Sequence, residues 1–146
     1  YEDKSGPLAV RLLDEFFSGA GRPVHFEKLV IPDDAHELEA ALKKYTNEQY
    51  DFIITTGGTG IGSRDITPDV VRKLLDKEIP GIMELIRYKY GSVHPGALLS
   101  RSVAGLIGRT LVYTLPGSVK AVTEYLAEIT RTMEHSLRMV NGIDMH

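Results

Sequence analysis

A chain of 146 residues with 42% hydrophobic composition has the size and balance of one globular domain, residues 1–146, with a single core. A formal net charge of −3 without a Lys/Arg cluster argues against nucleic acid as a partner, and no apolar run reaches membrane-spanning length. The lack of cysteine excludes disulfides and thiolate chemistry and is compatible with a cytoplasmic location.

The first predicted element is a helix from Ser5 to Phe17. Leu8, Leu12, Leu13, Phe16 and Phe17 recur on one face, and Gly19 to Gly21 stop it. Pro23 to Ile31 reads as a strand, which would put Asp33 at its carboxyl end. Asp34 followed by Glu37 resembles a capping box, opening a helix with Leu38, Ala41, Leu42 and Tyr45 inward. The short apolar run Phe52-Ile53-Ile54 has the composition of a buried parallel strand. Thr67 is the expected N-cap, and Pro68 the first residue, of a helix reaching about Asp76. A further helix, Ile82 to Tyr90, should bury Leu85 and Ile86. Ser92 to Gly108 is irregular, with a short helix over Ala97 to Arg101 and a turn bounded by Gly105 and Gly108. Thr110 to Leu115 is a second apolar strand. Ser118 then caps the longest helix, whose stripe runs through Val119, Val122, Leu126, Ile129, Met133, Leu137 and Val140. Strands alternating with helices imply an α/β domain, a three-layer α/β/α sandwich with a mainly parallel sheet.

Between the first apolar strand and the helix at Pro68 lies Thr56-Gly57-Gly58-Thr59-Gly60-Ile61-Gly62. Such a loop exposes backbone N–H groups and lets an anion approach closely. It is neither of two familiar phosphate loops. No Gly-Lys pair follows for a Walker A loop, and Ser63 stands where the dinucleotide fingerprint needs its third glycine. The site is expected where Asp33, the loop through Asp65, and Pro116-Gly117-Ser118 converge. Asp33 and Asp65 could hold Mg²⁺ together with substrate phosphates, and the amides of the loop and of Ser118 could receive phosphate oxygens. Each aspartate taken alone reads more readily as a turn or cap residue, and it is their place beside the loop that raises the ligand reading to equal weight. Ser100, Arg101 and Glu84 are weaker candidates, and Tyr88 and Tyr90 read as packing or interface residues. The histidines show no metal-ligand spacing.

Thr55-Thr56-Gly57-Gly58-Thr59-Gly60 with Arg64-Asp65-Ile66-Thr67-Pro68-Asp69 resembles the signature of molybdenum-cofactor biosynthesis proteins of the MogA/MoaB type, relatives of the gephyrin G domain. The resemblance extends, in order, to Ile31-Pro32-Asp33, Pro80-Gly81 with Glu84, Leu99-Ser100-Arg101 and Leu115-Pro116-Gly117-Ser118. It implies a molybdopterin-binding domain, commonly a homotrimer or homohexamer, working beside other cofactor-biosynthesis proteins. In active members, AMP passes from Mg-ATP to the terminal phosphate of molybdopterin, with release of pyrophosphate. The resemblance puts the catalytic, metal-binding aspartates at Asp33 and Asp65. It puts the molybdopterin and phosphate contacts at Thr56, Gly57, Gly58, Thr59, Gly60, Ser100, Pro116, Gly117 and Ser118. It also implies that a strand and a Ser-Asp loop precede Tyr1 in the natural protein. The alternatives are a relative that binds molybdopterin or a nucleotide without turnover, and an oligomeric scaffold with a vestigial site.

Overall fold

The computed structural model describes residues 3–142. The elements in order are α1 (Ser5–Gly19), α2 (Ala35–Asn47), β1 (Phe52–Thr56), α3 (Thr67–Leu74), β2 (Lys77–Glu78) and α4 (Pro80–Gly91). A 3₁₀ turn (Pro95–Leu99), the hairpin β3 (Ala104–Ile107) with β4 (Thr110–Leu115), and α5 (Val119–Val140) complete the chain.

The sheet order is β1-β4-β3-β2. β1 runs parallel to β4, whereas β4 with β3 and β3 with β2 are antiparallel, so the sheet of the described residues is mixed. The strand at its heart is β4, buried at all six positions. Its alternation divides the core. Leu111, Tyr113 and Leu115 face a cluster with α1, α4 and α5, while Val112 faces Leu38, Leu42, Val70 and Val71 of α2 and α3. Helices on both faces of one sheet give the expected three layers.

Several expectations are corrected. Pro23 to Ile31 forms no strand. Val24 and Phe26 pack on the core and the Phe26 ring meets Phe52 edge-on, but among the described residues no neighbouring segment pairs with this one, and Val30 is 74% exposed. A strand exists only through its ladder, and a sequence pattern cannot supply a partner. For the same reason β1, paired on one side only among the described residues, is half-buried rather than central. β2 and β3 were not foreseen. Gly105 interrupts the apolar pattern of β3 because the Lys77 carbonyl of β2 and the Leu75 side chain occupy the space of a Cβ. Leu85 is exposed, one position off the buried stripe that Met83 and Ile86 define, and Val119 is exposed as the first residue of α5. Thr67 is not the cap of α3: it is already helical, and Ile66 precedes it without a side-chain cap.

Two caps hold as read. Asp34 Oδ1 accepts from the amides of His36 and Glu37 at 2.8 and 3.0 Å, and Ser118 Oγ from Ala121 at 3.1 Å. The strand expected before Tyr1 lies outside the described residues.

Candidate functional site

The glycine loop leaves β1 in a conformation that side chains resist. Gly57 and Gly58 have φ of +93° and +70°. The Gly57 amide donates to the Leu115 carbonyl at 2.8 Å, joining the loop to the end of β4. A Cβ on Gly117 would stand 3.3 Å from Gly57 Cα, and one on Gly58 would meet Thr67 Oγ1 at 2.5 Å. The loop thus lies backbone against backbone on the Pro116-Gly117-Ser118 turn, which Ser5 Oγ supports from α1 by donating to the Gly117 carbonyl.

Asp65 closes the loop from its far end. Its Oδ2 accepts the Gly62 amide at 2.8 Å and lies where a Cβ on Gly60 or Gly62 would collide. Arg101, a weak candidate from sequence, is the residue that fixes this arrangement. Its amide donates to the Thr59 carbonyl at 2.8 Å, its Nε to Gly60 at 2.8 Å, and its Nη2 to the Asp65 carbonyl at 2.6 Å. The guanidinium also forks onto both Asp69 oxygens at 2.9 and 3.1 Å. That bond holds the Asp69 carboxyl below the usual range, and Asp69 in turn raises Arg101. The fork saturates the arginine with loop carbonyls, leaving loop amides as the groups for an anion.

Thr56 to Gly60, Asp65 and Gly117 are therefore brought together. Asp33 is not joined to them: it is an exposed residue of the turn before α2, and with no strand at Pro23 to Ile31 it lies at no strand end. Among the described residues no cluster of three or more His, Asp or Glu could hold a metal ion by itself. Asp33 and Asp65 are hard oxygen donors of the kind Mg²⁺ takes, and so fit an ion that arrives mainly coordinated by substrate phosphates.

Ser100, Pro116 and Ser118 line a cavity of about 220 Å³ between α4, the 3₁₀ turn and α5. Ser100 Oγ is 3.0 Å from Ser102 Oγ and accepts from the buried Tyr125 hydroxyl at 3.0 Å. Tyr90, His94, Lys120, Glu124 and Tyr125 complete the polar lining and were not foreseen as site residues. Helical spacing from Ser118 marks Lys120 through Tyr125 as the start of α5, but which of them face α4 depends on packing. Behind Tyr90 lies Glu128, only 5% exposed, bonded by Lys89 Nζ and the Tyr90 hydroxyl at 2.8 Å each and by Arg131 at 3.0 Å. These donors, Lys89 foremost, pull its carboxyl down to about 2. Burial and then Glu128 push the Tyr90 phenol up to about 12. Glu84 is an exposed residue of α4.

Sheet, glycine loop and supporting arginine define a ligand-binding α/β domain, and comparison with known proteins gives the family. Residues 1–135 match the model of the "probable molybdopterin binding domain", and the chain belongs to that molybdenum-cofactor biosynthesis family. It is 44% identical over 122 residues to molybdenum cofactor biosynthesis protein B of Staphylococcus carnosus, covering 82% of this chain and 70% of the relative. It is 34% identical over 143 residues to the molybdopterin adenylyltransferase of Helicobacter pylori, covering 97% and 80%. Gephyrin of Dictyostelium discoideum is 37% identical over 113 residues, 77% of this chain but only 16% of that much longer protein. The crystal structure of the molybdopterin biosynthesis enzyme MoaB from Thermus thermophilus superposes with a TM-score of 0.83 at 40% identity, covering 97% of this chain and 87% of that one.

Proposed function

We propose that the chain is a molybdopterin adenylyltransferase. An oxygen of molybdopterin's terminal phosphate attacks the α-phosphorus of ATP, a new P–O–P bond forms, and the bond to the β-phosphate breaks to release pyrophosphate. A phosphate monoester is largely dianionic at neutral pH, its second pKa being about 6, so the attack needs no enzymic base. What the protein must supply is alignment and charge neutralisation. The observation that carries this reading is the glycine loop, its positive-φ backbone at Gly57 and Gly58 held against the Pro116-Gly117-Ser118 turn, with open space beside Gly57. Mg²⁺ entering with ATP supplies further neutralisation of phosphate charge. Asp33 is assigned to metal and ATP placement, and Asp65 to ligand positioning through the loop.

Pyrophosphate release from Mg-ATP, with and without molybdopterin, tests this. Release that requires molybdopterin and falls by about 10²-fold or more in Asp33→Ala and Asp65→Ala is expected. Molybdopterin binding without release would instead assign the chain to the non-catalytic binders. Exposed Leu85, Tyr88, Val93, Leu98 and Leu99 on α4 and the following turn support assembly into a trimer or hexamer. Both substrates and the cysteine-free composition fit a cytoplasmic setting.

A further inference from the structure

Ser100, Arg101 and Ser102 form a strap between the 3₁₀ turn and β3, entered at Ser100 with an extended φ of −75° and ψ of 129°. Successive side chains of extended backbone point to opposite sides. Ser100 Oγ and Ser102 Oγ meet at 3.0 Å on one side, and the Arg101 side chain leaves on the other to grip the glycine loop. A second arginine holds the strap from α4. Arg87 Nη1 donates to the Ser102 carbonyl at 2.9 Å and stands 3.5 Å from the Ser100 carbonyl. Ser102 is 1% exposed, so its carbonyl must find a donor within the protein. Arg87 is itself half-buried and forms no ion pair among the described residues. Glu84, exposed three positions earlier on the same helix, stands at a spacing where such a pair is ordinary, yet the guanidinium turns to the strap instead.

A guanidinium set against two carbonyls two positions apart fixes the path of the residue between them. Resting on the reading of the glycine loop as the phosphate receptor, we infer that Arg87 is a positioning residue for the transfer reaction. It sets the strap so that Arg101 reaches the loop, and it acts on the phosphate site only through Arg101. The contacts are continuous: Arg87 holds Ser102, its chain neighbour Arg101 holds the Gly60 and Asp65 carbonyls, and the same guanidinium forks onto Asp69. Neither carbonyl that Arg87 faces belongs to the loop itself. Without Arg87 the strap is free to shift, and an arginine displaced by about 1 Å no longer meets three acceptors at once.

Amide hydrogen exchange and calorimetric titration with inorganic pyrophosphate, both on the full chain, test this. The Gly62 and Thr67 amides close the loop onto Asp65 Oδ2 and the Gly58 carbonyl, at 2.8 and 3.2 Å, and so report its opening. Arg87→Met keeps an apolar stem without a donor and should speed both amides by about tenfold or more. Arg87→Lys, with a donor for the Ser102 carbonyl, should stay within about threefold of the parent. In an Arg101→Lys background Arg87→Met should add less than about threefold, where independent effects would multiply. Ile129→Val, which weakens the core of α5 without touching the strap, should leave both amides unchanged. No acceleration in Arg87→Met, no recovery in Arg87→Lys, full multiplication in the double variant, or equal acceleration in Ile129→Val would each overturn the inference. Pyrophosphate affinity should fall about tenfold in Arg87→Met and recover in Arg87→Lys. Pyrophosphate binding indifferent to Arg87→Met would overturn the inference alone. Amides that respond as expected in a protein without affinity for pyrophosphate would overturn only the reading of the loop as phosphate receptor.

Discussion

Arg101→Lys separates the charge of the loop clamp from its shape. Lysine keeps one positive charge but cannot reach the Gly60 carbonyl, the Asp65 carbonyl and both Asp69 oxygens at once. The loss comprises two hydrogen bonds from a charged donor, at about 1 kcal/mol each in this half-exposed setting, and the second arm of an ion pair worth about 0.5 kcal/mol. The total is roughly 2–3 kcal/mol. With a urea slope of about 2 kcal/mol/M, the unfolding midpoint should fall by about 1–1.5 M at unchanged slope. Asp69→Asn removes only the ion pair and should cost about 0.5–1 kcal/mol. Ligand affinity should follow stability in both variants, because the loop is the proposed phosphate receptor. An Arg101→Lys protein within about 0.5 kcal/mol of the parent would refute the clamp and leave the loop ordered by its glycines alone.

Four other outcomes are expected. Gly58→Ala forces a side chain to φ +70° and into Thr67 Oγ1, so stability should drop by about 2 kcal/mol or more in denaturant titration. Gly105→Ala should lower the melting temperature further than Gly57→Ala, since the former strikes the Lys77 carbonyl whereas the latter meets open space and pays only for its positive φ. Glu128 titrates near 2 when folded and near 4.5 otherwise, so its contribution is fully present above about pH 4.5 and disappears as pH falls toward 2. The shift corresponds to at most about 3.5 kcal/mol, and screening by water around the half-exposed Lys89 and exposed Arg131 reduces this to about 1–2 kcal/mol. Acid unfolding of Glu128→Gln should accordingly be less steep between pH 4.5 and 2. Ser5→Ala should raise the KM of transfer more than it lowers melting temperature, because it frees the Gly117 carbonyl within the proposed ligand turn.

The helices were legible wherever one face carries a stripe, as in α1, α2 and α5, and the caps at Asp34 and Ser118 were legible because capping is local chemistry. The glycine loop was equally clear, since its backbone requirement is written in the residues themselves. Sheet architecture was not. Whether Pro23 to Ile31 pairs, whether β1 or β4 is central, and whether Gly105 belongs to a strand all depend on a neighbour distant in sequence. The site divides along the same line. Asp65 and its glycines stand within one short segment and could be read together. Arg101 acts from 41 positions beyond the Gly60 it holds, so only the Leu99-Ser100-Arg101 resemblance pointed to it.

The bond from Ser5 to the Gly117 carbonyl spans 112 positions, about four fifths of the described chain. A contact of that separation forms only after a large loop has closed, and such closures are late and slow in folding. Of the described elements α1 is made first and the Pro116-Gly117-Ser118 turn late, so the glycine loop exists for some time without the turn it lies against. At about 5–20 residues per second, the interval from Ser5 to Gly117 is roughly 6–20 seconds. The backbone arrangement proposed to receive phosphate is therefore complete only after the Pro116-Gly117-Ser118 turn has been made.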